Sequence, residues 1–185
     1  GSAFDVFMTQ SNEEAVAVSS SDKNFIDKIV VEVKNGVLHI NLEKGLRLRF
    51  GNKKLKAYIS FKQIDELDIS GACNVMVEGT IKADDFKLDL SGASDLKGKL
   101  DVNKLSANMS GASDATLKGS ANTLNIDLSG ASTLKAFDLV SDFCDLEASG
   151  ASNIRVTVNK ELKIRASGAS DIDYKGNGVI KDVRT

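Results

Sequence analysis

Four acidic residues, Asp68, Asp89, Asp127 and Glu147, stand two positions before four of the six copies of a short tetrapeptide repeated along the chain. The same column continues through Asn108 and Arg165. Six positions after the start of each copy comes a base-rich row: Met76, Lys97, Thr116, Lys135, Arg155 and Asp173. Four after it comes a polar row: Asn74, Asp95, Asp114, Thr133, Asn153 and Asp171. Carboxylates stacked about 5 Å apart repel unless water, a cation or a neighbouring Lys intervenes. Asp68, Asp89, Asp127 and Glu147 are therefore the candidate binding residues, for a divalent cation or a cationic ligand. Asn108 and Arg165 interrupt the column, however, and the Gly-Gly-x-Gly-x-Asp spacing of calcium-binding β-rolls is absent. The favoured reading is a solvated face that keeps the surface soluble. The polar row could face a ligand, but Asx side chains at such places more often accept backbone hydrogen bonds at a corner.

Other chemistry finds little support. His39 is the one histidine, alternates with Leu38 and Ile40 so that it points outward, and has no Cys or Asp cluster at ligand spacing. There is no Ser/His/Asp candidate, no Gly-x-Ser-x-Gly and no phosphate loop. Asn108-Met109-Ser110 fits a glycosylation sequon by chance. No catalytic residue, metal ligand or cofactor is assigned, and the chain reads as a non-enzyme. The net charge of −2 gives no pull toward nucleic acid or an anionic membrane. Aromatic residues make up 5%, which argues against stacking platforms for sugars or bases. No window of 18 or more apolar residues occurs, so no transmembrane helix is expected.

The tetrapeptide begins at Ser70, Ser91, Ser110, Ser129, Ser149 and Ser167. It reads Ser-Gly-Ala-Ser five times and Ser-Gly-Ala-Cys in the first copy. Five positions before it stand Phe86, Leu105, Leu124, Cys144 and Leu162; three before it stand Leu67, Leu88, Ala107, Ile126, Leu146 and Ile164; one before it stand Ile69, Leu90, Met109, Leu128, Ala148 and Ala166. This period-2 alternation predicts a strand with one buried face. A second strand begins five after it, at Val75, Leu96, Ala115, Leu134, Ile154 and Ile172. Equivalent residues recur in one chain direction at intervals too short for crossover helices. The pattern predicts an all-β parallel β-helix, a solenoid with about 19 residues per coil. Gly71, Gly92, Gly111, Gly130, Gly150 and Gly168 are the structural corners, needing positive φ. The Ala after each is small enough to point into a tight interior, and the flanking Ser side chains bond local backbone.

Cys144 falls in a core column and Cys73 replaces a corner Ser. They lie 71 residues apart, roughly 3.7 coils or about 17 Å along the axis. A disulfide needs Cα atoms within about 7 Å, so two unbridged thiols are expected.

Residues 1–61 are less regular and are expected to form an N-terminal β region and cap, with regular coils over 62–185, the whole being one domain. Asn35-Gly36 between two apolar runs predicts a β-hairpin with a type I′ turn. One helical turn is expected between Asp22 and Lys28, and strands over 46–50 and 55–61. Ser2-Ala3-Phe4-Asp5-Val6 looks like a degenerate corner, so the coil is expected to begin before the regular copies. The opening Gly1-Ser2-Ala3-Phe4 lacks an initiator Met and reads as a tag remnant or a processed end, with a native signal sequence absent.

Phe4-Asp5-Val6-Phe7-Met8-Thr9-Gln10, Glu14-Ala15-Val16-Ala17-Val18, Ile26-Asp27-Lys28-Ile29, the Asn35-Gly36 hairpin and the Ser-Gly-Ala-Ser array follow one another in an order that resembles the bacterial "putative auto-transporter adhesin, head GIN domain" family. The resemblance covers nearly the whole chain. It implies a right-handed β-helix exported to the envelope of Gram-negative bacteria, often as a lipoprotein or with a signal peptide, without agreed catalytic residues or an established ligand.

The favoured function is that of a non-catalytic, extracytoplasmic envelope protein, an adhesin or ligand-binding β-helix. Its partner is a surface or envelope ligand, protein or glycan, and self-association through solenoid ends or faces is a further expectation. The alternative is a structural β-helix that polymerises end to end, as bactofilins do, because an uncapped coil is an exposed edge. A β-helical polysaccharide lyase or hydrolase is disfavoured: the short, uniform coils carry no long loop to wall a cleft with catalytic carboxylates. An ice-binding helix is disfavoured further, since no Thr-x-Thr ladder appears.

Overall fold

The alternating columns do become stacked strands. The computed structural model describes residues 4–43 and 55–184, so the strand expected over 46–50 lies outside the described residues. The regular coils are built from β6 (Glu66–Ile69), β7 (Asn74–Glu78), β8 (Ile81–Leu90), β9 (Asp95–Met109), β10 (Asp114–Leu128), β11 (Thr133–Ala148), β12 (Asn153–Ala166), β13 (Asp171–Lys175) and β14 (Val179–Arg184). All of them pair in parallel. The result is a β-solenoid of about six turns with coils of about 19 residues.

Register follows the tetrapeptide. Asp95 pairs with Asp114, Asp114 with Thr133, Thr133 with Asn153 and Asn153 with Asp171. The inward columns therefore superpose, and Leu88, Ala107 and Leu146 are fully buried in one core cluster running from Phe4 to Leu162. At about 25 cal/mol per Å² of apolar surface removed from water, this column stacking is the main drive for coil on coil.

Unequal intervals between copies are absorbed away from the corner. Register shifts occur between Thr116 and Lys118, between Ala136 and Val140, and between Ser141 and Phe143. The corner itself stays invariant, because each coil's Ala N–H donates to the Gly carbonyl below it, as from Ala112 to Gly92 and from Ala131 to Gly111, both at 2.8 Å.

The N-terminal region supplies an extra rung and a cap. Here the described elements are β1 (Asp5–Gln10), β2 (Ala15–Ser20), α1 (Lys23–Ile26), the hairpin β3 (Ile29–Lys34) and β4 (Val37–Leu42), and β5 (Leu55–Phe61). The hairpin turn is type I′, with φ of 51° at Asn35 and 79° at Gly36. Asp22 caps α1, accepting from the Asn24 N–H. Ser2 and Ala3 of the expected early corner lie outside the described residues, but the Asn74 N–H donates to the Phe4 carbonyl just as the Asp95 N–H donates to Cys73. Yet β1 is not followed by the next coil. It lies between β5 and β7, parallel to both, so the chain climbs two rungs on this face between those strands and β1 fills the vacated one. Strand β2 then closes this end, antiparallel to β5. Phe25, Ile29, Ile40 and Leu42 from α1 and the hairpin pack onto the core there.

Candidate functional site

The corner motif has a different division of labour from the expected one. All six glycines have positive φ, from 72° at Gly130 to 100° at Gly71. But Ala72, Ala93, Ala112, Ala131, Ala151 and Ala169 are exposed, and the fourth residue points inward instead. Ser94, Ser113, Ser132 and Ser152 are buried, each donating from Oγ to the carbonyl of the motif's first Ser at 2.9–3.0 Å. A buried hydroxyl costs stability unless it is bonded, so this bond explains why Ser is compatible with the core. Cys73 makes the same contact through Sγ to Ser70 at 3.7 Å. The polar row fares differently too: the bond that closes the corner belongs to the fourth residue rather than to Asx side chains. Asn74 instead donates to Asp5 at 2.9 Å, and Asn153 Oδ1 is buried without a partner.

The acidic column is a true ladder. Asp68 pairs in register with Asp89, Asp89 with Asn108, Asn108 with Asp127, Asp127 with Glu147 and Glu147 with Arg165. At Asp89 the charge is compensated. Lys87 bridges Glu66 at 2.9 Å and Asp89 at 2.7 Å, and Asn108 donates to Asp89 at 2.7 Å. Burial opposes ionisation of Asp89, but the bonds from Lys87 and Asn108 outweigh it and hold the carboxyl below its ordinary value. Asp89, Asn108 and Asp127 line a shallow depression of about 210 Å³ with Ser91, Ser110 and Ser129; Asp68 and Glu147 lie outside it. Among the described residues no group of three or more His, Cys, Asp or Glu is placed to hold a metal ion.

The base-rich row is likewise stacked, Lys97 on Thr116, Thr116 on Lys135, Lys135 on Arg155 and Arg155 on Asp173. Below it the row turns apolar, through Met76, Phe7 and Tyr58. Phe7 and Tyr58 stack on each other at 5.2 Å with an interplanar angle of 14°, so these two rings spend facing surfaces on one another. Neither cysteine is in a disulfide. Burial pushes the Cys144 thiol up to about 11 against a hydrogen bond with Ser141, and burial also raises Cys73, so both thiols stay protonated and unreactive near neutral pH. His39 pairs across the hairpin with Glu32, on the face opposite Ile40.

A larger groove, of about 550 Å³, runs along the opposite bend of the coils. Its floor is Ala83, Val102, Ala121 and Ser141; its rims carry Asp101, Ser120 and Val140 on one side and Asn103, Asn122 and Asp142 on the other. These residues stack coil on coil: Ala83 on Val102, Val102 on Ala121, Ala121 on Ser141. Four rungs at about 4.8 Å span about 14 Å. Ser120 donates to Asp101 at 2.9 Å, Asn122 to Asn103 at 3.3 Å, and Lys160 pairs with Asp142 at 2.6 Å. The groove was not anticipated from the sequence. Its signal is a column of small residues eight positions before the tetrapeptide, flanked by polar ones, in the segment where the coil length varies.

The fold and these surfaces define a β-solenoid whose chemistry is displayed in polar ladders on open faces. The model of the family described as "Putative auto-transporter adhesin, head GIN domain" matches residues 1–178, and the chain belongs to that family. Solved structures of the same fold include a "putative adhesin" from Bacteroides fragilis NCTC 9343, 20% identical, with a TM-score of 0.80 over 98% of this chain and 89% of that one. A "putative adhesin" from Parabacteroides distasonis ATCC 8503 is 19% identical, with a TM-score of 0.78 over 98% and 86%. A "putative lipid binding protein" from the same organism is 20% identical, with a TM-score of 0.71 over 99% and 87%. A comparison with curated proteins gives no match. Among the described residues no helix is long and apolar enough to cross a membrane, which says nothing of strands.

Proposed function

We propose that this protein is a non-catalytic envelope protein, exported from the cytoplasm of a Gram-negative bacterium, that holds an extended, hydroxyl-rich polymer (a glycan) along the groove floored by Ala83, Val102, Ala121 and Ser141. The observation that carries this reading is the ladder itself. One rim places Asn103, Asn122 and Asp142 at successive coils and the other places Asp101 and Ser120 before Val140, so a polymer lying along the axis meets a polar side chain on at least one rim at each step. Membership in an adhesin family supports an outward-facing role. The reading as a lipid carrier is not favoured, because apolar side chains fill the interior and the groove rims are polar apart from Val140.

The test is a carbohydrate microarray probed with this protein, followed by titration of the best glycan against Asn103→Ala/Asn122→Ala. Each lost hydrogen bond contributes about 0.5–1.5 kcal/mol, so the double variant is expected to bind about tenfold more weakly. Absence of any glycan signal, or equal binding by the variant, overturns the assignment of the groove. Turnover of a bound glycan overturns the non-catalytic role. Fractionation of cells expressing the native gene checks export, and a cytoplasmic pool alone counts against it.

A further inference from the structure

The two ends of the solenoid differ. At the N-terminal end β2 runs antiparallel to β5, and Phe25, Ile29, Ile40 and Leu42 pack onto the core. At the other end the final coil carries the inward columns one step further without comparable cover among the described residues. Ile172 stacks on Ile154, Tyr174 on Val156, Ile180 on Leu162 and Val183 on Ile164. Tyr174, Ile180 and Val183 remain 40%, 42% and 52% exposed, whereas Ile154, Val156 and Leu162 one coil below are fully buried. The outer edge of β13 also lacks a strand partner among the described residues. Unpaired edges of this kind recruit another strand.

We propose that this edge pairs with the same edge of a second copy, giving a closed two-fold dimer through β13. The sequence of β13 is self-complementary in one antiparallel register, centred on Asp173. There Asp171 faces Lys175 of the other copy, and Ile172 faces Tyr174 of the other copy, twice over by symmetry. Ile172 and Tyr174 then continue the core across the junction. The two Asp173 residues meet at the axis, where each is already compensated within its own chain by Arg155 at 3.5 Å. The Lys175 ammonium lies 4.2 Å from the Phe137 ring of β11, two strands in from the edge, and swings outward to meet Asp171 of the other copy. Strand β2 is likewise the last strand of the sheet at the opposite end, but the β13 register pairs one edge with its own copy, so the contact is isologous and closes after two copies.

Analytical ultracentrifugation over a concentration series tests this with the intact protein and two variants. The wild-type chain is expected to dimerise. Asp171→Lys places like charges opposite each other at both symmetric positions and is expected to weaken dimerisation at least about tenfold. Asp171→Lys/Lys175→Asp restores the attraction with reversed polarity and is expected to restore the dimer. Far-UV circular dichroism confirms that each variant keeps its β signal. A wild-type monomer at all concentrations overturns the proposal. So does a dimer indifferent to Asp171→Lys, or a double variant that fails to recover. Larger, open-ended species overturn the closed geometry.

Discussion

At Gly111 two separate physical demands coincide. The residue has φ of 76°, which a side chain makes strained, and a Cβ built there would lie 2.5 Å from the Gly92 carbonyl oxygen. That oxygen is fixed, because it accepts from Ala112 in the coil above. Gly79 faces only the first demand: φ is 81°, with open space where its Cβ would be. Gly111→Ala is therefore expected to destabilise by about 3 kcal/mol, from backbone strain plus crowding, and Gly79→Ala by about 1 kcal/mol. For a chain of this size a kcal/mol moves the midpoint about 2–4 °C, so thermal melts separate the two. Equal losses at both positions would show that the corner glycines serve only the turn and not the close stacking of coils. The same residue-scale logic explains the buried serines. Sequence alternation placed polar and apolar columns correctly up to the corner, but it could not say which side of a positive-φ turn the next residue takes, so Ala and Ser exchange the places expected for them.

Among the elements, an early start of the coil near Phe4 to Val6 was legible, yet β1 as a strand and its neighbours were not. Pairing order depends on where a chain end travels after leaving the coil, and no local pattern in Phe4 to Gln10 encodes that. One residue does mark the arrangement. Where the splayed coils reconverge, the Gln10 side chain takes the place of a missing peptide group: Nε2 donates to the Lys62 and Lys82 carbonyls at 2.9 and 3.2 Å, and Oε1 accepts from the Lys82 N–H at 2.7 Å. Gln10→Ala is expected to cost about 1–2 kcal/mol, since water can reach these exposed groups in part, and to speed amide exchange at Lys82 selectively. Gln10→Glu keeps the acceptor but loses both donated bonds, so protection at Lys82 is expected to recover while the Lys62 contact does not. Unchanged exchange at Lys82 in Gln10→Ala would mean that the ladder closes without the side chain. The groove was missed for a related reason. It sits at the bend where register slips, between Thr116 and Lys118 and again after Ala136, and columns blur there when copies are aligned on the corner alone.

The whole molecule is a stack in which each coil is stabilised by its neighbours, so its integrity is set by continuity. Strand β1 is a rung of that stack inserted out of chain order, and it separates β5 from β7. Its inward residues, Phe4 and Met8, are buried at 3% and 4% exposure, and Val6 packs against the core. Removing it leaves two facing strand edges and an apolar slot. The slot can be refilled only by a strand of the same register, with Asp5 beside Lys56 and Asn74. The chain 11–185 is therefore expected to melt well below the full chain. A synthetic peptide of residues 1–10 is expected to raise that melting point in a concentration-dependent way, as any ligand specific to the folded state does. A peptide with Val6→Asp and Met8→Asp places charges in the slot and is expected not to rescue. If the truncated chain melts with the full chain, or if both peptides rescue equally, β1 is an ornament on a core that closes without it. Rescue by the native peptide alone establishes that the N-terminal strand completes the solenoid and fixes where the regular coils begin.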